Sequence, residues 1–115
     1  MENNKYDFSL IIPVHNEILV IEKTIQELLQ IREKQNFEII VVDDCSNDGT
    51  CNHLDLKKYE AVKVIRHGRN LGYGAAIKTG IRYSESPIIA ITDADGTYPS
   101  NRIPEFVYTL KKLPI

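Results

Sequence analysis

The chain has 115 residues, a formal charge of −2 at pH 7, and 43% apolar and 26% charged residues. That length suits one domain of ordinary size with a buried core, and the composition is that of a globular protein, not a disordered or bilayer-spanning one. The slightly acidic balance gives no general attraction for nucleic acid, so no nucleic-acid partner is expected.

The chain alternates strand and helix signals. Residues 8–14 (FSLIIPV) form a short run of branched apolar residues and read as a first strand. Residues 18–33 follow with Ile18, Ile21, Ile25, Leu28 and Leu29 at helical spacing, and Asn16 is placed to cap that helix. Residues 37–42 are a second buried-strand run, and the Asp-, Ser-, Asn- and Gly-rich stretch 43–50 is a loop. A short helix is expected near residues 52–58, a third strand over 61–66 and a loop over 67–74. A helix is expected over 75–83 and a fourth strand over 87–92. After the loop 93–100, Asn101 is placed to cap a last helix containing Ile103, Phe106, Val107 and Leu110.

Strand–helix alternation with nearly all-apolar strands predicts an α/β fold: a parallel, Rossmann-like sheet of about four strands with flanking helices. In such a sheet all carboxyl ends share one edge, where ligands bind. The polar clusters of the chain fall just after the predicted strands and so onto that edge.

Cys45 and Cys51 sit in one loop region without CxxC spacing and read as reduced thiols; a zinc site with His53 would be short of ligands. Residues 1–7 are polar and do not read as a secretory signal, so the expected location is cytoplasmic.

Four clusters carry the chemistry. Asp93 and Asp95, one residue apart at a strand end, are placed to converge on a hard cation, Mg²⁺ or Mn²⁺, which takes a few protein oxygens and fills its shell with phosphate and water. The same pair also suits an ordinary Asp-Gly turn. Asp43 and Asp44 are adjacent carboxylates; in extended backbone one would face a ligand, as acceptor for a base N–H or a ribose hydroxyl, while the other supports the loop. Pro13 ends the first strand, and Glu17 sits near a helix start on the same edge. His15 reads as a packing or hydrogen-bonding side chain. In the segment 66–74 (RHGRNLGYG), glycines permit close backbone approach, and Arg66 or Arg69 is placed to reach a phosphate.

Together LIIPVHNE (10–17), VVDDCSNDGT (41–50), NLGYGAA (70–76) and TDADGTYP (92–99) resemble the family 2 glycosyltransferases with the A-type nucleotide-sugar fold, most of all the polyprenyl-phosphate (dolichol-phosphate type) sugar transferases. The resemblance covers nearly the whole chain, in the family's order and spacing. It implies a metal-dependent transfer from a UDP- or GDP-sugar to a polyprenyl-phosphate or glycan acceptor, usually with inversion. Pro13, Val14, Glu17, Val42, Asp43, Asp44, Asp93 and Ala94 would contact the nucleotide, and Asp93 and Asp95 would hold the metal. The family often has an aromatic residue where His15 stands, and some relatives have a Gln where Thr97 stands.

Family domains continue for about another hundred residues. The resemblance therefore implies that residues 1–115 are a single donor-binding domain truncated at its C-terminus, with the acceptor site and the general base outside it. A lipid phosphate acceptor, already ionised near neutral pH, would need no such base. It would also place the protein peripherally at the inner face of the membrane. An open half-sheet edge would favour homo-oligomers. Two rival readings remain at this level: a nucleotide-sugar-binding module without turnover, and a haloacid-dehalogenase-like phosphatase, whose DxDGT signature Asp93–Thr97 matches letter for letter.

Overall fold

A computed structural model describes residues 5–50 and 61–93, and the backbone of 107–109. Among the described residues seven elements follow in order: β1 (Phe8–Val14), α1 (Ile21–Ile31), β2 (Phe37–Asp43), β3 (Val62–Arg66), α2 (Tyr73–Tyr83), β4 (Ile88–Ile91) and β5 (Val107–Thr109). They build one sheet of order β3-β2-β1-β4-β5. The first four strands are parallel, with Phe8 beside Phe37, Ile39 beside Val62 and Ser9 beside Ile89.

Alternation along the strands assigns each face its cover. Phe8, Leu10, Ile12 and Val14 of β1 join Phe37, Ile39 and Val41 of β2 on the face covered by Ile21, Ile25 and Leu28 of α1. Phe8 and Phe37 stack with ring centroids 4.8 Å apart. Ile11, Ile40, Val42 and Ile89 point the other way, against Ala76 of α2. Each fully buried Ile, Leu or Phe contributes about 1.5–3 kcal/mol, so the two small cores carry the fold. Gly80 brings α2 close to the sheet: a Cβ there would lie 2.6 Å from Cγ2 of Ile11.

Two expectations are corrected. Helix α1 begins at Ile21, and Asn16 does not cap it. Asn16 takes a left-handed conformation, φ 56°, and its Oδ1 accepts the amide N–H of Asn47, while Oδ2 of Asp48 accepts the amide of Ile18. The neighbouring loop has taken over the donors a cap would have served. Val107–Thr109, expected within a helix, instead forms β5, antiparallel to β4, with Ile88 beside Thr109. A short run of branched and aromatic residues suits either state, and the open edge of β4 decides for the strand. The sheet therefore has five strands, and β5 covers the edge of β4. The helix expected near residues 52–58, Cys51, His53 and the cap at Asn101 lie outside the described residues. Among the described residues no helix is long and apolar enough to cross a membrane.

Candidate functional site

The strand order reverses between β1 and β4, because the chain builds outward from β1 through β2 and β3 and then returns to the other side of β1. Helices α1 and α2 leave on opposite faces, which opens a crevice at the carboxyl ends of this pair. Pro13 helps to open it. Ladder pairing between β1 and β4 ends at Ile11 beside Ile91, and the amide of Thr92 bonds the carbonyl of Ile11 at 3.1 Å. The next residue of β1 facing that side is Pro13, which has no N–H to continue the ladder.

A cavity of about 390 Å³ fills this crevice, lined by Pro13, Val14, His15, Glu17, Asp44, Asn70, Gly72, Tyr73, Ala76 and Asp93. The sequence-selected residues Pro13, Val14, Glu17, Asp44 and Asp93 thus come together from three segments distant in sequence. Val42 and Asp43 are not at the cavity wall. Val42 is packed in the core beneath α2, as its alternation with Val41 dictates. Asp43 is fully buried, with Oδ1 accepting the amide of Ser46 at 3.0 Å and the Ser46 hydroxyl, and Oδ2 lying 3.7 Å from Nη1 of Arg66. Its role is to close the loop after β2. Arg66 is committed to the same loop, donating from Nη2 to the Ser46 carbonyl at 2.8 Å, and does not line the cavity; nor does Arg69. Ala94, Asp95 and Thr97 lie outside the described residues.

Asp44 is the best-held group of the site. Its amide bonds the carbonyl of Val14 at 2.9 Å, locking the loop to β1. Its carboxylate accepts N–H from Leu71 and Gly72 and from Nδ1 of His67, each at 2.8 Å. Burial works to raise its pKa, but the Leu71 amide, the His67 ring and the Gly72 amide together bring it below the ordinary aspartate value. Nδ1–H of His15 donates to the Asp44 carbonyl at 2.8 Å, so His15 packs and hydrogen-bonds at the rim. Amides of Asn16 and Glu17 are received by the hydroxyls of Ser46 and Thr50, which lace the loops after β1 and β2 together.

His67 and Thr79 were not singled out by sequence. The signal was in the register: Asp43 pairs with Arg66, so the next residues along, Asp44 and His67, become neighbours at the same edge.

Glu17, Asp44 and Asp93 give the cavity three carboxylates, the hard oxygen donors that Mg²⁺ or Mn²⁺ prefers. Among the described residues no group of three is close enough to form a complete cage. Asp93 fits a cation that takes one or two protein carboxylates and completes its shell with phosphate oxygens.

The model for Glycosyl transferase family 2 matches residues 9–115. Curated relatives include an uncharacterized glycosyltransferase, YkcC, of Bacillus subtilis, 34% identical over 91% of this chain and 34% of its own length. A dolichol-phosphate mannosyltransferase of Pyrococcus furiosus is 32% identical over 90% of this chain and 30% of its own. Among solved structures, the mannosyltransferase PcManGT of Pyrobaculum calidifontis in complex with GDP-Man and Mn²⁺ superposes with a TM-score of 0.72 at 27% identity, over 85% of this chain and 30% of that one. The chain spans about a third of the length of the curated relatives it matches.

Proposed function

The chain belongs to glycosyl transferase family 2, and from that premise we propose that it forms the donor-binding portion of a metal-dependent enzyme that transfers a sugar from a UDP- or GDP-sugar to a polyprenyl phosphate. The observation that carries this reading is the cavity at the β1/β4 switch point, walled by Pro13, Val14, Glu17, Asp44 and Asp93. Its size and its mixed apolar and carboxylate wall suit a nucleoside with a diphosphate running toward Asp93. The GDP-Man and Mn²⁺ in the superposed mannosyltransferase support the same ligand chemistry.

In this reading Pro13 and Val14 give the apolar wall against the nucleoside, and Asp44 accepts a base N–H or ribose O–H. Asp93, with Asp95, would hold Mg²⁺ or Mn²⁺, which would supply charge neutralisation for the departing nucleotide diphosphate. An oxygen of the acceptor phosphate forms the new bond to the anomeric carbon as the bond from that carbon to the donor diphosphate breaks. The diphosphate keeps the electron pair, and no proton need be removed from an ionised phosphate. A lipid acceptor is supported by the name of the Pyrococcus furiosus relative. It is consistent too with the exposure of the apolar side chains Leu19, Leu71 and Tyr73 in the segments that follow β1 and β3. A phosphatase of the haloacid-dehalogenase kind carries its DxD on the first strand; here Asp93 follows β4.

The test is calorimetric titration of the chain with UDP and GDP, with and without Mn²⁺, followed by a transfer assay using a short polyprenyl phosphate. Metal-strengthened binding of one nucleotide, with sugar transfer, is expected. Absence of binding to either nucleotide in Mn²⁺ would remove the donor-site reading; binding without transfer would confine the chain to donor binding.

A further inference from the structure

An ionised carboxylate offers about four acceptor positions. On Asp44, Oδ1 takes Nδ1–H of His67 and the amide of Leu71, and Oδ2 takes the amide of Gly72. Among the described residues no other donor reaches Oδ2, so one acceptor position of a cavity-lining carboxylate is left for a ligand. What fixes the direction of that position is the set of three donors.

All three lie in the loop between β3 and α2; two are backbone amides at its far end, where Asn70, Gly72 and the first residue of α2, Tyr73, are themselves cavity wall. Gly72 sits at φ 101°, a conformation that favours glycine and turns its amide toward Asp44. The third donor is different. His67 is buried, does not line the cavity, and spans from Asp44 to α2, where its Nε2 is 2.8 Å from Oγ1 of Thr79. Asp44 needs a proton on Nδ1. Nε2 then faces the Thr79 hydroxyl, which can serve it as donor or acceptor and so anchors the far side of the ring to α2.

We propose that His67 is a positioning residue for nucleotide recognition: anchored by Thr79, it holds the Asp44 carboxylate so that the carboxylate both grips the Leu71–Gly72 amides and turns its one open acceptor position to the nucleoside. This rests on the donor-site reading above. His67 touches no ligand and acts only through Asp44.

Three variants of the full chain test it: His67→Ala, His67→Asn and His67→Gln. Asparagine places an amide donor where Nδ1 stood, whereas glutamine reaches toward the Nε2 position. UDP and GDP titrations in Mn²⁺ are read beside ligand-free amide exchange of Leu71 and Gly72. His67→Ala is expected to weaken nucleotide binding about tenfold and to speed exchange of both amides about tenfold. His67→Asn is expected to come back within about threefold of the unsubstituted chain on both readouts, and His67→Gln is not. If the alanine variant fails to fold, the asparagine–glutamine contrast still decides. Unchanged affinity and exchange in His67→Ala, or rescue by glutamine equal to that by asparagine, overturns the proposal. If the unsubstituted chain binds neither nucleotide, the donor-site reading falls by itself. Faster exchange in His67→Ala would then uphold the grip on the loop, and unchanged exchange would overturn it.

Discussion

Glu38 and Lys63 form an ion pair at the end of the sheet opposite the cavity, with Nζ of Lys63 3.1 Å from Oε1 of a fully buried Glu38. Oε2 of Glu38 accepts the Ser9 hydroxyl and the Glu85 amide, each at 2.6 Å, whereas Oε1 has the lysine charge but no well-aligned hydrogen bond. Lys63 also meets Glu85 at 2.7 Å and donates to the Tyr83 carbonyl at 3.1 Å, tying β2, β3 and the end of α2 together. Burial works to lower its pKa, but its pairing with the carboxylates of Glu85 and Glu38 carries it above the ordinary lysine value.

Removing the lysine leaves a buried carboxylate without its counter-charge. Lys63→Met is therefore expected to cost about 2–4 kcal/mol, near the low end for a broken buried pair because Lys63 is a third exposed. Glu38→Gln keeps an acceptor for Ser9 and Glu85 and sheds the buried charge, but turns its NH2 toward Nζ of Lys63, so it should cost about 1–2 kcal/mol. Urea denaturation measures both, and a larger loss for Glu38→Gln than for Lys63→Met would contradict this account. Neither change should alter nucleotide affinity, since the cluster lies at the far edge of the sheet.

Gly80 tests the packing of α2. An added Cβ would come 2.6 Å from Cγ2 and 2.9 Å from Cγ1 and Cδ1 of Ile11. Overpacking of this kind costs about 1–3 kcal/mol, and the better helix propensity of alanine returns up to about 1. Gly80→Ala should thus be net destabilising. Because the clash is with one side chain, adding Ile11→Ala should relieve it. In a double-mutant cycle the pair is expected to cost less than the sum of the single changes by at least about 1 kcal/mol. Strict additivity would mean that the helix had simply shifted away.

The pH dependence follows from Asp44. Its folded pKa is depressed, so the folded state favours the ionised form more than the unfolded state does. The stability it contributes is fully present above the unfolded aspartate value of about 3.9 and is lost as pH falls through the lower folded value. Denaturation midpoints of the unsubstituted chain and Asp44→Asn, compared between pH 6 and about 2.5, should differ most above pH 4 and converge at the acid end. A gap that persists unchanged at the acid end would show that the carboxylate charge is not what Asp44 contributes.

Much of this arrangement was legible in the sequence because it rests on apolar runs and on where polar residues follow them. Leu10-Ile11-Ile12 and Ile39-Ile40-Val41-Val42 could only be buried strands, and Asp44 and Asp93 had to fall on one edge of a parallel sheet. What stayed hidden depends on neighbours. Val107–Thr109 became a strand because β4 presented an open edge, which no local pattern records. Asn16 lost its capping role to Asp48, a residue of the next loop. Glu38, placed in a buried strand, is tolerated only because Ser9, Lys63 and Glu85 converge on it from three other segments. Arg66, which looked free for a phosphate, was drawn to Asp43 and the Ser46 carbonyl by the β2–β3 register.

In the proposed donor site Asp93 would be a ligand of the metal. It sits just past β4 on the cavity wall, half-buried, where a carboxylate oxygen can meet a cation that also holds the donor diphosphate. Asp93→Asn keeps the size and one oxygen but removes the charge. Without metal, the variant and the unsubstituted chain should bind UDP or GDP within about threefold of each other, since loss of a negative charge beside the phosphates does not weaken binding there. With saturating Mn²⁺ the unsubstituted chain should gain about tenfold or more in affinity, and the variant should gain little, so the difference appears only in the metal-containing arm. Chelation should return both to the same baseline. A variant that keeps the full Mn²⁺ effect would take Asp93 out of the metal role and leave it as a wall residue of the cavity.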